Sequence, residues 1–276
     1  MKIDRLSLSL PFLLFAFVAV TANAEMTLSA TADDALPPAI VGEAPELSGQ
    51  MLGYFSADGQ VQGYLAVPDG EGPHGAVILI HEWNGLVQRV KETADAFAAE
   101  GYVALAADLY SGRTGANPQE NMALVRETLA NPEAIIANLN AAASYLRERS
   151  DTSGKIAAIG WCYGGGVALS FALGGEHHDA TAIFYGRLLG DPEQMSRINH
   201  EVYGTFARND SGIPVESVNA FVETLRNAGI ENDVHIYDEI SHGFWLHVDR
   251  NPEINTGPAL DAWRRLKAYL GRTLGG

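Results

Sequence analysis

Four short runs of almost uninterrupted apolar residues constrain this chain more than any other feature. They are Ala76-Val77-Ile78-Leu79-Ile80, Val103-Ala104-Leu105-Ala106-Ala107, Ile156-Ala157-Ala158-Ile159 and Ala180-Thr181-Ala182-Ile183-Phe184-Tyr185. A strand with one wet face alternates polar and apolar residues, whereas a strand covered on both faces reads as a continuous apolar run. Weaker strand signals follow at 202–207 and 234–237, and helical patterns fill the gaps at roughly 86–100, 118–130, 132–149, 163–174, 214–228 and 258–271. Gly101 and Gly229 stand where helices end, and Pro214 and Pro258 where a first turn tolerates proline. This alternation predicts an α/β fold, a mostly parallel sheet with helices on both faces. Ahead of it, Gln50 to Val67 carries the turn signal Ser56-Ala57-Asp58-Gly59 between two short alternating runs, which predicts a leading hairpin. No repeat or low-complexity linker divides 50–276, so one domain is expected there.

With 47% hydrophobic and 19% charged residues, the chain has ample apolar surface to build a core. Its formal charge of −16 argues against nucleic-acid binding, which relies on Lys and Arg neutralising phosphates. At the N-terminus, Lys2 and Arg5 precede an apolar run from about Leu8 to Val20, and Ala22-Asn23-Ala24 supplies a small-x-small cleavage pattern. That layout reads as a signal peptide over 1–24, with an apolar run shorter than the ~20 residues of a membrane span. The mature protein is therefore expected to be exported, periplasmic or secreted, with no stable membrane anchor. The Ala-, Pro- and acid-rich stretch 25–49 reads as a loosely ordered lead-in. A single cysteine, Cys162, excludes an internal disulfide, so its thiol is either buried and inert or kept for chemistry.

The run Ile156–Ile159 leads into Gly160-Trp161-Cys162-Tyr163-Gly164-Gly165-Gly166, after which a helical pattern begins. A nucleophile presented on a sharp strand-to-helix turn needs neighbours without Cβ atoms two residues either side, or strand and helix collide. The N–H groups at the start of the following helix would face a developing oxyanion and favour a thiolate. A lone cysteine is ordinarily a small buried hydrophobe, but this spacing after a strand points to a nucleophile.

Such a site needs an acid and then a histidine further along the chain. His242, in Ile240-Ser241-His242-Gly243-Phe244, falls in a loop just past the last predicted strand, with His247 as the fallback. His235 is inside a strand and His200 precedes one, at the wrong end for a site at strand C-termini. Asp210, after Phe206-Ala207, is the candidate acid, and Asp238 is its rival. Asn209-Asp210-Ser211-Gly212 is also plain turn chemistry. Trp83 and Tyr163 are the expected backbone donors of an oxyanion hole. Glu82 is either a solvated carboxylate or one held near the thiol or the histidine. H-E-x-x-H is absent and His177-His178-Asp179 lies on a predicted loop, so neither a metal nor another cofactor is expected. Trp83, Tyr110, Tyr185, Phe244 and Trp245 are candidates for an aromatic pocket, with core packing the competing account for each.

These residues resemble the dienelactone hydrolase family of the α/β-hydrolase superfamily. The matching pieces are His81-Glu82-Trp83-Asn84-Gly85, Gly101-Tyr102 leading to Ala107-Asp108-Leu109-Tyr110, and Gly160-Trp161-Cys162-Tyr163-Gly164-Gly165. Phe206-Ala207-Arg208-Asn209-Asp210, Ser241-His242-Gly243-Phe244 and Ala262-Trp263 continue the match in family order across about 54–271. The resemblance implies the α/β-hydrolase fold, a Cys162–Asp210–His242 triad, and a Glu82 that contacts the resting thiol. It also implies two arginines for a substrate carboxylate. Arg113 matches one of them, while Leu246 stands where the other is expected, which points to a general ester or lactone substrate rather than an anionic dienelactone. A small-molecule-binding protein that has lost catalysis is the competing reading. A thiol-transfer role lacks a second, resolving cysteine.

Overall fold

The computed structural model describes residues 35–55, 61–176 and 178–275. The expected signal peptide, the first part of the lead-in, the hairpin turn at 56–60 and His177 lie outside the described residues.

The apolar runs form the centre of an eight-stranded sheet. Its strands are β1 (Gln50–Phe55), β2 (Val61–Ala66), β3 (His74–Ile80), β4 (Val103–Ala107), β5 (Thr152–Trp161), β6 (Ala180–Phe184), β7 (Val202–Ala207) and β8 (Asn232–Tyr237). In space they run β1-β2-β4-β3-β5-β6-β7-β8. The hairpin pair and β2–β4 are antiparallel, and every other pairing is parallel. Alternate residues of the central strands enter opposite cores: Val77 and Leu79 join one apolar cluster, Ala76, Ile78 and Ile80 the other.

Between the strands lie α1 (Pro38–Val41), α2 (Gln88–Ala99), α3 (Pro118–Leu129), α4 (Pro132–Glu148), α5 (Tyr163–Gly174), α6 (Pro192–Met195), α7 (Val215–Asn227) and α8 (Pro252–Leu270). The side chain of Asn117 accepts from the N–H groups of Gln119 and Glu120 at the start of α3, and Asn131 caps α4 in the same way. Val90, Ala94 and Phe97 of α2 pack in one core with Trp263 and Leu266 of α8, while Ile135, Leu139 and Leu146 of α4 fill the other. Strand β3 is where the sheet order reverses. The chain leaves it toward β4 on one side and later returns to β5 on the other, which opens a crevice beyond the C-terminal ends of β3 and β5.

Two expectations change. Pro258 lies inside α8 rather than in its first turn, because the helix begins six residues earlier at Pro252. Burial of Asn255, Ala259, Ala262 and Trp263 along one face outweighs the proline's missing donor. The lead-in, where it is described, is packed rather than loose. Ala39 and Ile40 of α1 are buried in the main core, and Arg89 donates to the Ala39 carbonyl and to Asp249. The Asp95 carboxylate accepts from the Ser48 and Gly49 N–H groups and from the Tyr64 hydroxyl.

Candidate active site

Cys162 occupies the single turn between β5 and α5, at φ 55° and ψ −115°. A non-glycine residue rarely adopts such a backbone, and the surroundings hold it there. Its N–H donates to the Phe184 carbonyl at 3.0 Å, and its own carbonyl accepts from Gly165 and Gly166. The flanking glycines answer to steric need. A Cβ on Gly160 would stand 2.0 Å from the Gly164 carbonyl oxygen, and one on Gly164 would stand 2.2 Å from that of Ile80. The turn thus brings the start of α5 hard against the end of β3. Tyr185, at the end of β6, is also held at positive φ, 40°, and lines the same cavity as Cys162.

The histidine and the acid arrive from loops after β8 and β7. His242 Nδ1 donates to Asp210 Oδ2 at 2.6 Å, while Asp210 Oδ1 accepts from the N–H groups of Gly212 (2.8 Å) and Ile213 (3.2 Å). Burial alone would make the Asp210 carboxyl harder to ionise, but these three donors hold it below the usual carboxylate range. Burial likewise disfavours the His242 imidazolium. Its hydrogen bonds with Asp210 and Cys162 outweigh that and push it up to about 10. The imidazole therefore stands between the carboxylate and the sulfur, disposed to carry a proton. The rival acid, Asp238, is exposed and ion-paired with Arg208.

The opposite wall comes from the loop after β3. Among the described residues, neither the Trp83 N–H nor the Tyr163 N–H has a hydrogen-bond acceptor, and both residues line the cavity with Cys162. The peptide linking Glu82 to Trp83 is fixed from behind by His81, which is fully buried. The Leu109 N–H can only donate, so His81 Nε2 accepts it at 3.2 Å. His81 Nδ1 then carries the proton and donates to the Glu82 carbonyl at 2.6 Å. In a trans peptide the N–H points opposite to its C=O, so anchoring the Glu82 carbonyl turns the Trp83 N–H the other way.

Glu82 departs from the expected placement. Its carboxylate accepts from His247 Nε2 at 2.7 Å, and this histidine, rather than the thiol, is its hydrogen-bond partner. The loop carrying His242 folds back over the end of β3 and brings His247 to it. The 241–247 loop is held further by Trp245, which is stacked on Trp161 at 5.6 Å, and by the Leu246 N–H, which donates to the Tyr185 hydroxyl.

The cavity has a volume of about 680 Å³, within the range of small-molecule sites. Of the expected lining residues, Trp83 and Tyr185 are there. Arg113 is not, because it makes a two-pronged ion pair with Glu127 on the surface. Tyr110 is buried behind the site, its hydroxyl donating to the Trp83 carbonyl. Phe244 packs between Tyr185 and Tyr237 and lines a smaller cavity on the far flank of His242. Trp245 and Leu246 are core residues. Arg187 lines the main cavity, and no motif marked it in the sequence. Among the described residues no cluster of three or more His, Cys, Asp or Glu side chains is arranged to hold a metal ion.

A family model described as the dienelactone hydrolase family matches residues 61–274. Protein usf of Aquifex pyrophilus is 31% identical over 230 residues, covering 80% of this chain and 97% of that protein. A proposed carboxymethylenebutenolidase of Methylorubrum extorquens is 29% identical over 227 residues, 77% of each chain. Among solved structures, a dienelactone hydrolase-like promiscuous phosphotriesterase from metagenomic libraries superposes with a TM-score of 0.74 at 21% identity, covering 83% of this chain and 99% of that one. A thermophilic esterase from Thermogutta terrifontis gives 0.62 at 17% identity, over 84% and 96% of the two chains. At these identities the structural likenesses speak for the α/β-hydrolase fold alone.

Proposed function

The chain belongs to the dienelactone hydrolase family, and on that premise we propose that it hydrolyses carboxylic esters or lactones with Cys162 as nucleophile. One observation carries the reading. A thiol on a strained strand-to-helix turn faces an Asp210-backed imidazole and lies between two backbone donors with no other acceptor.

In the first half-reaction the Cys162 sulfur adds to the substrate carbonyl, and the N–H groups of Trp83 and Tyr163 receive the oxyanion. As the intermediate collapses, the C–O bond breaks and the departing alkoxide takes the proton from His242 Nε2, leaving a thioester. In the second half, water gives a proton to His242 and its hydroxide adds to the thioester carbonyl. The C–S bond then breaks, the carboxylic product leaves and the thiolate–imidazolium pair is restored. Asp210 keeps Nδ1 protonated and stabilises the imidazolium throughout. Loss of a single oxyanion donor costs about 10²–10³ in turnover. The buried ring of His81 therefore acts on catalysis as a positioning group, through the peptide it anchors.

The experiment is hydrolysis of p-nitrophenyl acetate by wild type and Cys162→Ala. Turnover lost in the variant and sensitive to a thiol alkylator supports the assignment, whereas unchanged turnover removes Cys162 as nucleophile. Ligand binding in the cavity without turnover would favour a non-catalytic binding protein. We propose further that the protein is exported and begins at Glu25 after cleavage. N-terminal sequencing of protein recovered from the periplasm or the medium tests that.

A further inference from the structure

Cys162 stands at one end of a long trough rather than in a closed pocket. The main cavity touches Tyr163, Gly166, Val167 and Ser170 of α5. A second cavity of about 240 Å³ shares Val167 and Ser170 with it and continues to Leu173 and Gly174. These positions recur at helical spacing, so one face of α5 is the floor of both cavities. From Tyr163 to Gly174 that floor runs about 16 Å, at about 1.5 Å per residue.

The walls are mostly apolar, with Arg187 on the main cavity and Gln194 and Arg197 on the second as the polar exceptions. Met122, Val125 and Leu129 form a stripe along α3 on the cavity side, while its buried positions are Asn121 and Leu124. Met122 (40% exposed) and Leu129 (48%) are among only five large hydrophobics exposed in the described residues. An exposed apolar strip beside a reactive group is characteristic of a surface that a ligand covers. Leu189 lines both cavities. Of the two hydroxyls on the floor, that of Ser170 is spent on the Gly166 carbonyl at 3.0 Å and that of Tyr163 is buried.

The two sides of the site differ in chemistry. A leaving alkoxide must take its proton from His242, whose other flank opens on a cavity of about 220 Å³ lined in part by Ser241, His247, Arg250 and Asn251. The acyl group stays on Cys162, at the head of α5. We propose that the trough is an acyl-chain site, and that the preferred substrates are esters of linear aliphatic acids of roughly ten to twelve carbons with a compact polar alcohol. That length follows from C–C bonds of about 1.5 Å, each advancing about 1.3 Å when laid zigzag along a floor of about 16 Å. This inference rests on the hydrolytic reading of Cys162 and specifies its substrate.

The test is kcat/KM for p-nitrophenyl esters from acetate to dodecanoate, in wild type and Leu129→Asp. At about 0.8 kcal/mol per buried methylene, each added CH₂ raises kcat/KM by up to about fourfold until the trough is filled. The charged variant collapses the octanoate-to-acetate ratio, which is the readout whatever happens to either rate alone. A flat or falling series with acetate still turned over, or an unchanged ratio in Leu129→Asp, overturns the acyl-chain site and leaves the nucleophile assignment intact. Should Cys162→Ala retain turnover, the nucleophile assignment falls. Calorimetric binding of decanoate to the unmodified protein, weakened at least tenfold in Leu129→Asp, still decides for the trough, and no binding decides against it.

Discussion

The 2.6 Å contact between His242 and Asp210 sets how far into the alkaline range the site keeps its proton. With the carboxylate in place the imidazolium persists to about pH 10, against the pull of burial. Asp210→Asn removes the charge while keeping the shape. The alkaline limb of the kcat/KM–pH profile then moves down from near 10, and turnover falls by orders of magnitude as the imidazole loses its fixed tautomer. An alkaline limb that stays put would mean that Asp210 is only a turn residue. Glu82 and His247 pose a different residue-scale problem, because both are nearly buried, their side chains 9% and 11% exposed. Breaking such a pair strands one partner, so His247→Ala destabilises the fold by about 3 kcal/mol in chemical denaturation. Glu82→Gln combined with His247→Gln, two amides able to bond each other, recovers most of that loss. If the single variant unfolds at the wild-type denaturant midpoint, the contact contributes nothing.

At the scale of elements, the turn from β5 into α5 is fixed by contacts that admit no side chain at two positions. Gly164→Ala would drive a methyl into the Ile80 carbonyl, so helix and strand must part and Cys162 must move with them. The expected result is loss of ester turnover with a fall in Tm, whereas Gly190→Ala, which meets nothing within 4 Å, changes neither. This turn was legible in the sequence because local sterics dictate it: Gly160 and Gly164 must be glycine wherever strand and helix meet so closely. The parallel strands were legible for a similar reason, since burial on both faces leaves no polar positions. Less legible was whatever depends on partners distant in the chain. Arg113 takes Glu127, fourteen residues on, and Glu82 takes His247, 165 residues on, and nothing local announces either choice. The stripe Met122, Val125 and Leu129 reads in sequence as one more amphipathic helix face. Only the fold shows that it borders the cavity rather than the core. Pro258 misled for the opposite reason, as a strong local signal overridden by burial along α8.

Across the whole molecule, the site gathers at the C-terminal ends of the strands, while a second titratable feature sits at the other end of the sheet. His178 and His200 direct their Nε2 atoms at the same hydroxyl, that of Thr181 at the start of β6, at 3.2 and 2.8 Å. His178 is also stacked on Phe171 of α5, with ring centroids 4.3 Å apart. Burial lowers both imidazoles, His178 to about 3 with the neighbouring His200 adding to the effect, and His200 to about 4. Unfolded, each would titrate near 6.5. Between that value and 3 to 4 the unfolded chain binds more protons than the folded one, so stability falls as the pH drops through this window. Above about pH 7 both rings are neutral in either state and contribute no pH dependence. The expected outcome is a Tm that is flat near neutrality and declines steadily from about pH 6.5 to 4, with a shallower decline in His200→Asn, which keeps a polar group beside Thr181. Ester turnover at pH 8 should be unaltered in that variant, because the histidines meet Thr181 at the start of β6 and Tyr185 lies just past its other end. An equally steep decline in His200→Asn would assign the acid sensitivity to the carboxylates, which outnumber the cations of this chain by sixteen charges.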